Sequence, residues 1–551
     1  MVLGAAVGLA AGLLAVLLNR ALLGADEVFG AFRGHRGWRI FLPALGAAAA
    51  AIFLNQIIRE QPGHGVGDVI YAISRNRGFM RFRSSVSRLV ASFLTIAAGG
   101  SAGPEAPVVF SGAAVGSNIG TALHTSERAR ATFVACGAAG AIGAIFNAPI
   151  TGIVFALEVI LGEWAQINII PIAVASVTGT HVGRILLGGQ IPFEHQRLHP
   201  TLMDSVAAIG LALLAVLVSQ GLMRALWWTE AWAPRAVRAR WLRAGCGGLA
   251  VGAIGFFVPS VLGEGYGVVR SLIGGTFAPG IWLVAAIVAS KIVATCLTLG
   301  TGGSGGIFAP SLFIGSAMGV CYRRILGALL GHTQFAVEGC YALLGMAALV
   351  SGALQAPLTG MFLVVEITGS WEVILPLIVV STITPALSRY LEPASVYTRD
   401  LLAGGDLIRP RTDARILGDI MVTELIERDS MPVEPQMSMG ELVDVVRRSR
   451  RNSFPVLDSE TQAFLGMLHL DDVRKHLFDP RLYDIVLVAN VMKSDVACVG
   501  TSATLAHTLD VFEQVGTWSL PVVDGDRFVG LVSKSTILDH YRRELMAQTE
   551  S

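Results

Sequence analysis

Apolar stretches of about twenty residues or more begin at Val2 and recur to about residue 400, separated by short polar or Gly/Pro-containing breaks. Each is long enough to cross a bilayer core as a helix, which takes about 20 apolar residues. In lipid, a spanning segment must satisfy its own backbone hydrogen bonds, so these runs predict helices. Beyond about residue 410 the pattern changes. Residues 411–480 are dense in Asp, Glu, Arg and Lys, and two amphipathic stretches, Glu441–Arg450 and Leu505–Gln514, each precede a short apolar run. That alternation predicts a small α/β module present twice. Its matched marks are Met421, Phe454–Leu457 and Gly466–Leu468 in one copy, and Met492, Leu520–Val523 and Gly530–Val532 in the other.

The first part carries two internal repeats. Gly100-Ser101-Ala102-Gly103-Pro104-Glu105-Ala106-Pro107 through Gly112 matches Gly303-Ser304-Gly305-Gly306-Ile307-Phe308-Ala309-Pro310 through Gly315, an offset of 303 − 100 = 203. Ala148-Pro149-Ile150-Thr151-Gly152 matches Ala356-Pro357-Leu358-Thr359-Gly360, an offset of 356 − 148 = 208. Each copy of the second pair leads into an apolar stretch ending in an acid, Glu158 or Glu366. The membrane part therefore reads as two homologous halves, about 1–195 and 200–400, joined by a link near 188–200. In transporters built this way, the binding site lies at Gly/Pro-interrupted segments in corresponding positions of the halves.

The interrupted segments have a definite chemistry. Gly103 frees the backbone to break from a helix and Pro104 pre-sets the turn that restarts it. The first amides of the restarted helix have no partner within it, and the helix dipole is positive there. Such an end binds an anion without a buried lysine. Two starts from two halves, at 103–107 and 305–313, give a cage of N–H donors suited to small anions. Glu105 stands in that cage, and an acid within a membrane is functional by default. Ionised, it can occupy the cage as a surrogate anion; protonated, it can leave. A plain helix cap is the other reading of Glu105. Its counterpart in the second half is Phe308, since 105 + 203 = 308.

These motifs resemble the CLC family of chloride channels and proton-coupled chloride transporters, and the resemblance spans nearly the whole chain. Gly103-Pro104-Glu105-Ala106-Pro107 is similar to the family's Gly-x-Glu-Gly-Pro, with Ala106 for its second Gly, and Gly306-Ile307-Phe308-Ala309-Pro310 to its Gly-x-Phe-x-Pro. The resemblance implies an all-α polytopic fold of two inverted-repeat halves with broken helices over residues 1–404. It implies a soluble α/β pair of CBS domains over 410–551, at about 415–478 and 486–545. Glu105 would be the gate, and Gly103, Ala106, Ile307, Phe308, Tyr397 and His64 the anion-binding residues. Tyr397 follows from Pro393-Ala394-Ser395-Val396-Tyr397; taken alone it reads as an interfacial tyrosine.

Two departures from the family matter. His64, in Gly63-His64-Gly65-Val66-Gly67, stands where the family carries a Ser ligand. It either supplies an imidazole N–H or points elsewhere and leaves the anion to backbone donors. Val159 stands where proton-coupled members commonly carry a second acid. Valine carries no proton, so passive, channel-like conduction is the expectation and proton/anion antiport the alternative. The matched acids Glu158 and Glu366 read as structural.

Charge and composition complete the picture. The chain of 551 residues is 53% hydrophobic and 15% charged, against about 25% charged for a soluble domain. Residues 271–320 hold one charged residue, Lys291. Net charge is +1, and no nucleic-acid partner is expected. Arginine clusters at 75–88 and 235–243 favour the cytoplasmic side and lipid headgroups. The expected place is the cell (inner) membrane, multi-pass, with the CBS pair cytoplasmic and the protein a homodimer. The run after Met1 lacks a basic leader and a cleavage site, so it reads as the first membrane helix, with the chain starting inside it. The six cysteines lack metal or disulfide spacing and read as small apolar fillers. No phosphate loop or nucleophile–base set appears, so no enzyme activity is expected and no cofactor is required, with bound chloride the expected ligand. In the tail, Asp472, Ser533 and Thr536 keep half of the family's ribose contact in each copy, which implies ATP, ADP or AMP as a ligand; a dimerisation module without ligand is the other reading. A CBS-regulated divalent-cation transporter would need several facing acids in the membrane, and few are present.

Overall fold

A computed structural model describes residues 1–551 except 35–36, 61–64, 189–192, 194–197, 278, 332–333, 408–419, 477–478 and 550–551. The chain forms two compact units, Met1–Leu407 and Ile408–Ser551. Most of the link between the halves, and His64, lie outside the described residues.

In the first unit, eight of the described helices are long and apolar enough to cross a membrane. Shorter apolar helices, among them Ser84–Ala97, Glu338–Leu354 and Pro357–Thr368, stand beside them. The chain is an integral, multi-pass membrane protein. Glu338–Leu354 is buried on every side from Gly339 onward, as a helix that is apolar all round must be.

The repeats seen in sequence are repeats of packing. Glu105–Ala122 crosses Glu127–Phe146 where a Cβ on Gly112 would lie 2.4 Å from the Gly137 carbonyl oxygen. Phe308–Leu330 crosses Glu338–Leu354 where a Cβ on Gly315 would lie 2.4 Å from the Gly345 oxygen. Only glycine permits backbones this close.

The matched acids bind across the halves. Glu366 accepts hydrogen bonds from the amides of Ile150 (2.9 Å) and Thr151 (2.7 Å) and from the Thr151 hydroxyl (2.6 Å). Glu158 accepts the same three from Leu358 N (3.1 Å), Thr359 N (2.8 Å) and Thr359 Oγ1 (2.7 Å). Each half's acid thus caps the other half's Pro-initiated helix, satisfying amides that the helix itself leaves open. Val159 follows Glu158 in a single π-helical turn, Ala156–Leu161, and is half-buried against the apolar core.

One residue of the arginine clusters departs from the headgroup expectation. Arg88 is buried, pairs with Asp68 at 3.2 Å and lies over the Phe110 ring at 5.3 Å. A guanidinium with a carboxylate and an aromatic face has no need of headgroups.

The second unit holds a two-stranded antiparallel sheet, Ser453–Leu457 with Phe464–His469. A three-stranded sheet joins Val499–Gly500 in parallel to Ser519–Asp524, and that strand antiparallel to Arg527–Ser533. The first amphipathic helix runs Met439–Arg448, two residues earlier than the amphipathic stretch at both ends, because Ser438 and Glu441 form a capping box. The copies exchange their leading segments. Glu427 pairs with Leu531 and Ile420, Val422 and Leu425 join the second copy's core, while Lys493 pairs with Met467 and Met492 packs on the first.

Candidate functional site

The two broken segments meet. Gly103 N–H donates to the Gly306 carbonyl at 2.8 Å and Gly306 N–H to the Gly103 carbonyl at 2.7 Å. Gly103 and Gly306 are repeat equivalents, because 103 + 203 = 306, so the clasp sits where the two halves exchange. Hydroxyls brace it reciprocally. Ser101 N–H donates to Thr298 Oγ1 (3.0 Å) and Ser304 N–H to Thr95 Oγ1 (3.1 Å). The Ser101 hydroxyl lies 3.0 Å from that of Thr295, and the Ser304 hydroxyl 3.0 Å from that of Ser92. All four contacts obey the offset of 203. They hold buried polar backbone that would otherwise be costly in an apolar setting.

Helices start two residues beyond each clasp glycine, at Glu105 and at Phe308. Their free amides therefore open beside one another. Ile307, Phe308 and Ala106 are buried there, and the Phe308 ring packs on Phe146 and Phe155 at 5.9 and 6.1 Å between centroids. The Glu105 side chain, 1% exposed, folds back into this opening. A Cβ on Gly103 would lie 2.0 Å from Glu105 Oε2, so glycine is required for the carboxylate to sit there. The amides of Glu105 itself and of Ala309, one from each helix start, face the carboxylate. Oε1 accepts a hydrogen bond from the Tyr266 hydroxyl, while Oε2 has no side-chain or regular hydrogen-bond partner among the described residues.

Tyr397 is buried in the segment before the Arg399–Ala403 helix, and its hydroxyl is unpartnered among the described residues. It lies within electrostatic range of Glu105. The segment after His64 approaches the same place, since a Cβ on Gly65 would lie 3.0 Å from the Ala106 carbonyl oxygen. The structure thus brings Gly103, Glu105, Ala106, Ile307 and Phe308 together at the clasp, with Tyr397 within electrostatic range of Glu105 and Val159 in a separate turn.

Sequence reasoning missed Tyr266, Glu264 and the use of Lys291. A signal for them exists. Gly263-Glu264-Gly265-Tyr266-Gly267 matches Gly63-His64-Gly65-Val66-Gly67 at an offset of 200, and Gly65 and Gly265 both hold positive φ (+71° and +85°) at the start of a helix. In the tail, the Ser533 hydroxyl (2.6 Å) and that of Thr536 donate to Glu427, which also pairs with Arg451, and Asp472 pairs with Lys493 at 3.0 Å.

Residues 46–389 match the family described as voltage gated chloride channel, and residues 417–479 and 488–543 each match the CBS domain. The chain belongs to the voltage gated chloride channel family, the CLC family. Among its relatives, the ClcB-like chloride channel protein of Ralstonia nicotianae is 32% identical over 394 residues, 70% of this chain and 91% of that one. The voltage-gated ClC-type chloride channel ClcB of Escherichia coli K12 is 28% identical over 366 residues, 65% and 86% of the two chains. Two solved structures share the CLC fold. A slow cyanobacterial Cl⁻/H⁺ antiporter superposes with a TM-score of 0.67 at 21% identity, covering 75% of this chain and 99% of its own. A eukaryotic CLC transporter superposes with a TM-score of 0.65 at 17% identity, covering 97% of both.

Proposed function

We propose that this CLC-family member conducts chloride or similar small anions through a path that Glu105 opens and closes. The observation that carries this reading is the Glu105 carboxylate lying between two helix starts, facing one amide from each. A carboxylate there stands in for an anion, because the donors that receive it are those a dehydrated halide needs. Protonation removes the charge that the helix ends attract, the side chain leaves, and Ile307, Phe308 and Tyr397 are free to donate to a permeating anion. Tyr397, whose hydroxyl is unpartnered among the described residues and lies within electrostatic range of the carboxylate, is the inner ligand.

Val159 supports passive conduction, since no side-chain proton carrier stands at that position. Proton-coupled antiport is the second reading, favoured by Glu264, a further acid within electrostatic range of Glu105. The protein works in the cell (inner) membrane as a homodimer with the CBS pair cytoplasmic. In that pair an adenine nucleotide would compete with Glu427 for the Ser533 and Thr536 hydroxyls.

Anion flux from liposomes, recorded with a pH electrode, tests the reading. Wild type conducts more as pH falls, and Glu105→Ala conducts without pH dependence. A Glu105→Ala variant with an unchanged pH response refutes the gate. Uphill proton movement at fixed stoichiometry replaces passive conduction with antiport.

A further inference from the structure

We propose that Tyr266 is the seat that holds the Glu105 carboxylate across the path, and that its hydroxyl sets the pH at which the path opens. The inference rests on the gate reading above and adds a positioning residue from the opposite half of the molecule.

The hydroxyl is a fixed donor because the segment that presents it is tied on three sides. Gly263 N–H donates to the Gly99 carbonyl at 3.1 Å, which fastens the segment to the broken stretch of the first half. Lys291, fully buried on the Ile281–Gly300 helix, donates from Nζ to the carbonyls of Val261 (3.0 Å) and Gly263 (2.8 Å). Gly265 turns at φ +85° so tightly that a Cβ there would lie 2.6 Å from the Phe313 ring. Tyr266 then begins a helix, and its ring meets Phe193 edge-on at 5.7 Å. A rigid phenol costs little entropy in meeting a carboxylate, and a hydrogen bond to a charged group is stronger than a neutral one.

The other groups facing Glu105 do not substitute for it. The amides of Glu105 and Ala309 belong to the cage an anion would use. Tyr397 is in electrostatic range but its hydroxyl makes no hydrogen bond among the described residues. Glu264 and Glu105 repel each other when both are ionised, while Lys291 attracts and Asp26 repels the Glu264 carboxylate. Tyr266 is thus the described side chain that donates to the ionised carboxylate and favours its seated, closed position.

Removing the hydroxyl alone weakens the charged, seated form relative to the protonated, departed one. The path then opens at a less acidic pH. In liposome flux of the full chain measured over pH, Tyr266→Phe shifts the midpoint upward by about one to two pH units, while flux at the acidic plateau stays the same. In a Glu105→Ala background, Tyr266→Phe changes nothing further, which packing damage would not reproduce. Three results overturn the proposal. A Tyr266→Phe profile superimposed on wild type, with Glu105→Ala insensitive to pH, sinks the seat and spares the gate. Equal loss of flux at every pH, or the same loss in the Glu105→Ala background, makes Tyr266 structural. A Glu105→Ala variant that keeps its pH response sinks the gate and the seat together.

Discussion

Replacing Glu366 by alanine strips three donors at once. The amides of Ile150 and Thr151 and the Thr151 hydroxyl lose an ionised acceptor at 2.6–2.9 Å. Thr151 is fully buried, so its groups have little water to turn to. A hydrogen bond to a charged group contributes about 1.5–3 kcal/mol when buried and about half that where solvent reaches it. The two bonds from buried Thr151 contribute about 1.5 kcal/mol each and the one from Ile150, near the surface, about half as much, so Glu366→Ala should cost about 4 kcal/mol. Glu366→Gln keeps one acceptor oxygen but turns an N–H toward a donor, and should cost about 2 kcal/mol. By the repeat, Glu158→Ala and Glu158→Gln should cost the same, because Glu158 receives the same three donors from Leu358 and Thr359. The assay is thermal unfolding of the detergent-purified full chain, followed by loss of the monodisperse peak in gel filtration, with liposome flux on the surviving protein. The expected result is a matched pair of stability losses with the pH profile of flux unchanged. Glu158→Gln at wild-type stability but without pH-dependent flux would refute this reasoning, since Glu158 would then be a proton carrier.

Two further outcomes follow from close contacts. Gly315→Ala places a methyl 2.4 Å from the Gly345 carbonyl oxygen, which must push two buried helices apart; a loss of at least 2 kcal/mol in the same unfolding assay is expected, and Gly112→Ala should match it through Gly137. In the tail, Glu427→Ala frees the Ser533 and Thr536 hydroxyls, so retention of radiolabelled ATP by the full chain should tighten at least tenfold, and unchanged retention would remove those hydroxyls from any ribose site.

Much of the candidate site was legible because Gly and Pro punctuate a membrane helix and punctuation repeats. The segments at 103–107 and 306–310 match in sequence, and the match sets Glu105 opposite Phe308. What the pattern did not carry is which atoms meet. The Gly103–Gly306 clasp and the exchanged caps of Glu158 and Glu366 are contacts between halves about two hundred residues apart. A repeat implies a symmetry axis but not the side chains lying on it. Arg88 was misread for a related reason: an arginine among arginines reads as surface, while its partners Asp68 and Phe110 are brought in only by folding. The CBS copies follow one another along the chain, but the pattern did not show that Ile420, Val422 and Leu425 pack in the second copy's core, because a leading segment packs on whichever sheet offers apolar surface.

The third repeat, at an offset of 200, was weaker because glycine alone carries it. Gly63-His64-Gly65-Val66-Gly67 and Gly263-Glu264-Gly265-Tyr266-Gly267 share only their three glycines. Gly65 and Gly265 fix a backbone turn, and the residues beside them are then free to differ. That freedom explains how two halves with one backbone give an asymmetric path. The second half answers the acid at 105 with a phenol at 266, while position 66 is a valine and position 308 a phenylalanine. Since neither Val66 nor Phe308 titrates or donates a hydrogen bond from its side chain, the reverse arrangement, a gate on the second half seated by the first, has no side chains to build it. Under the proposed gating, Glu105 is the acid that the cage holds, and the closing charge would enter from the first half.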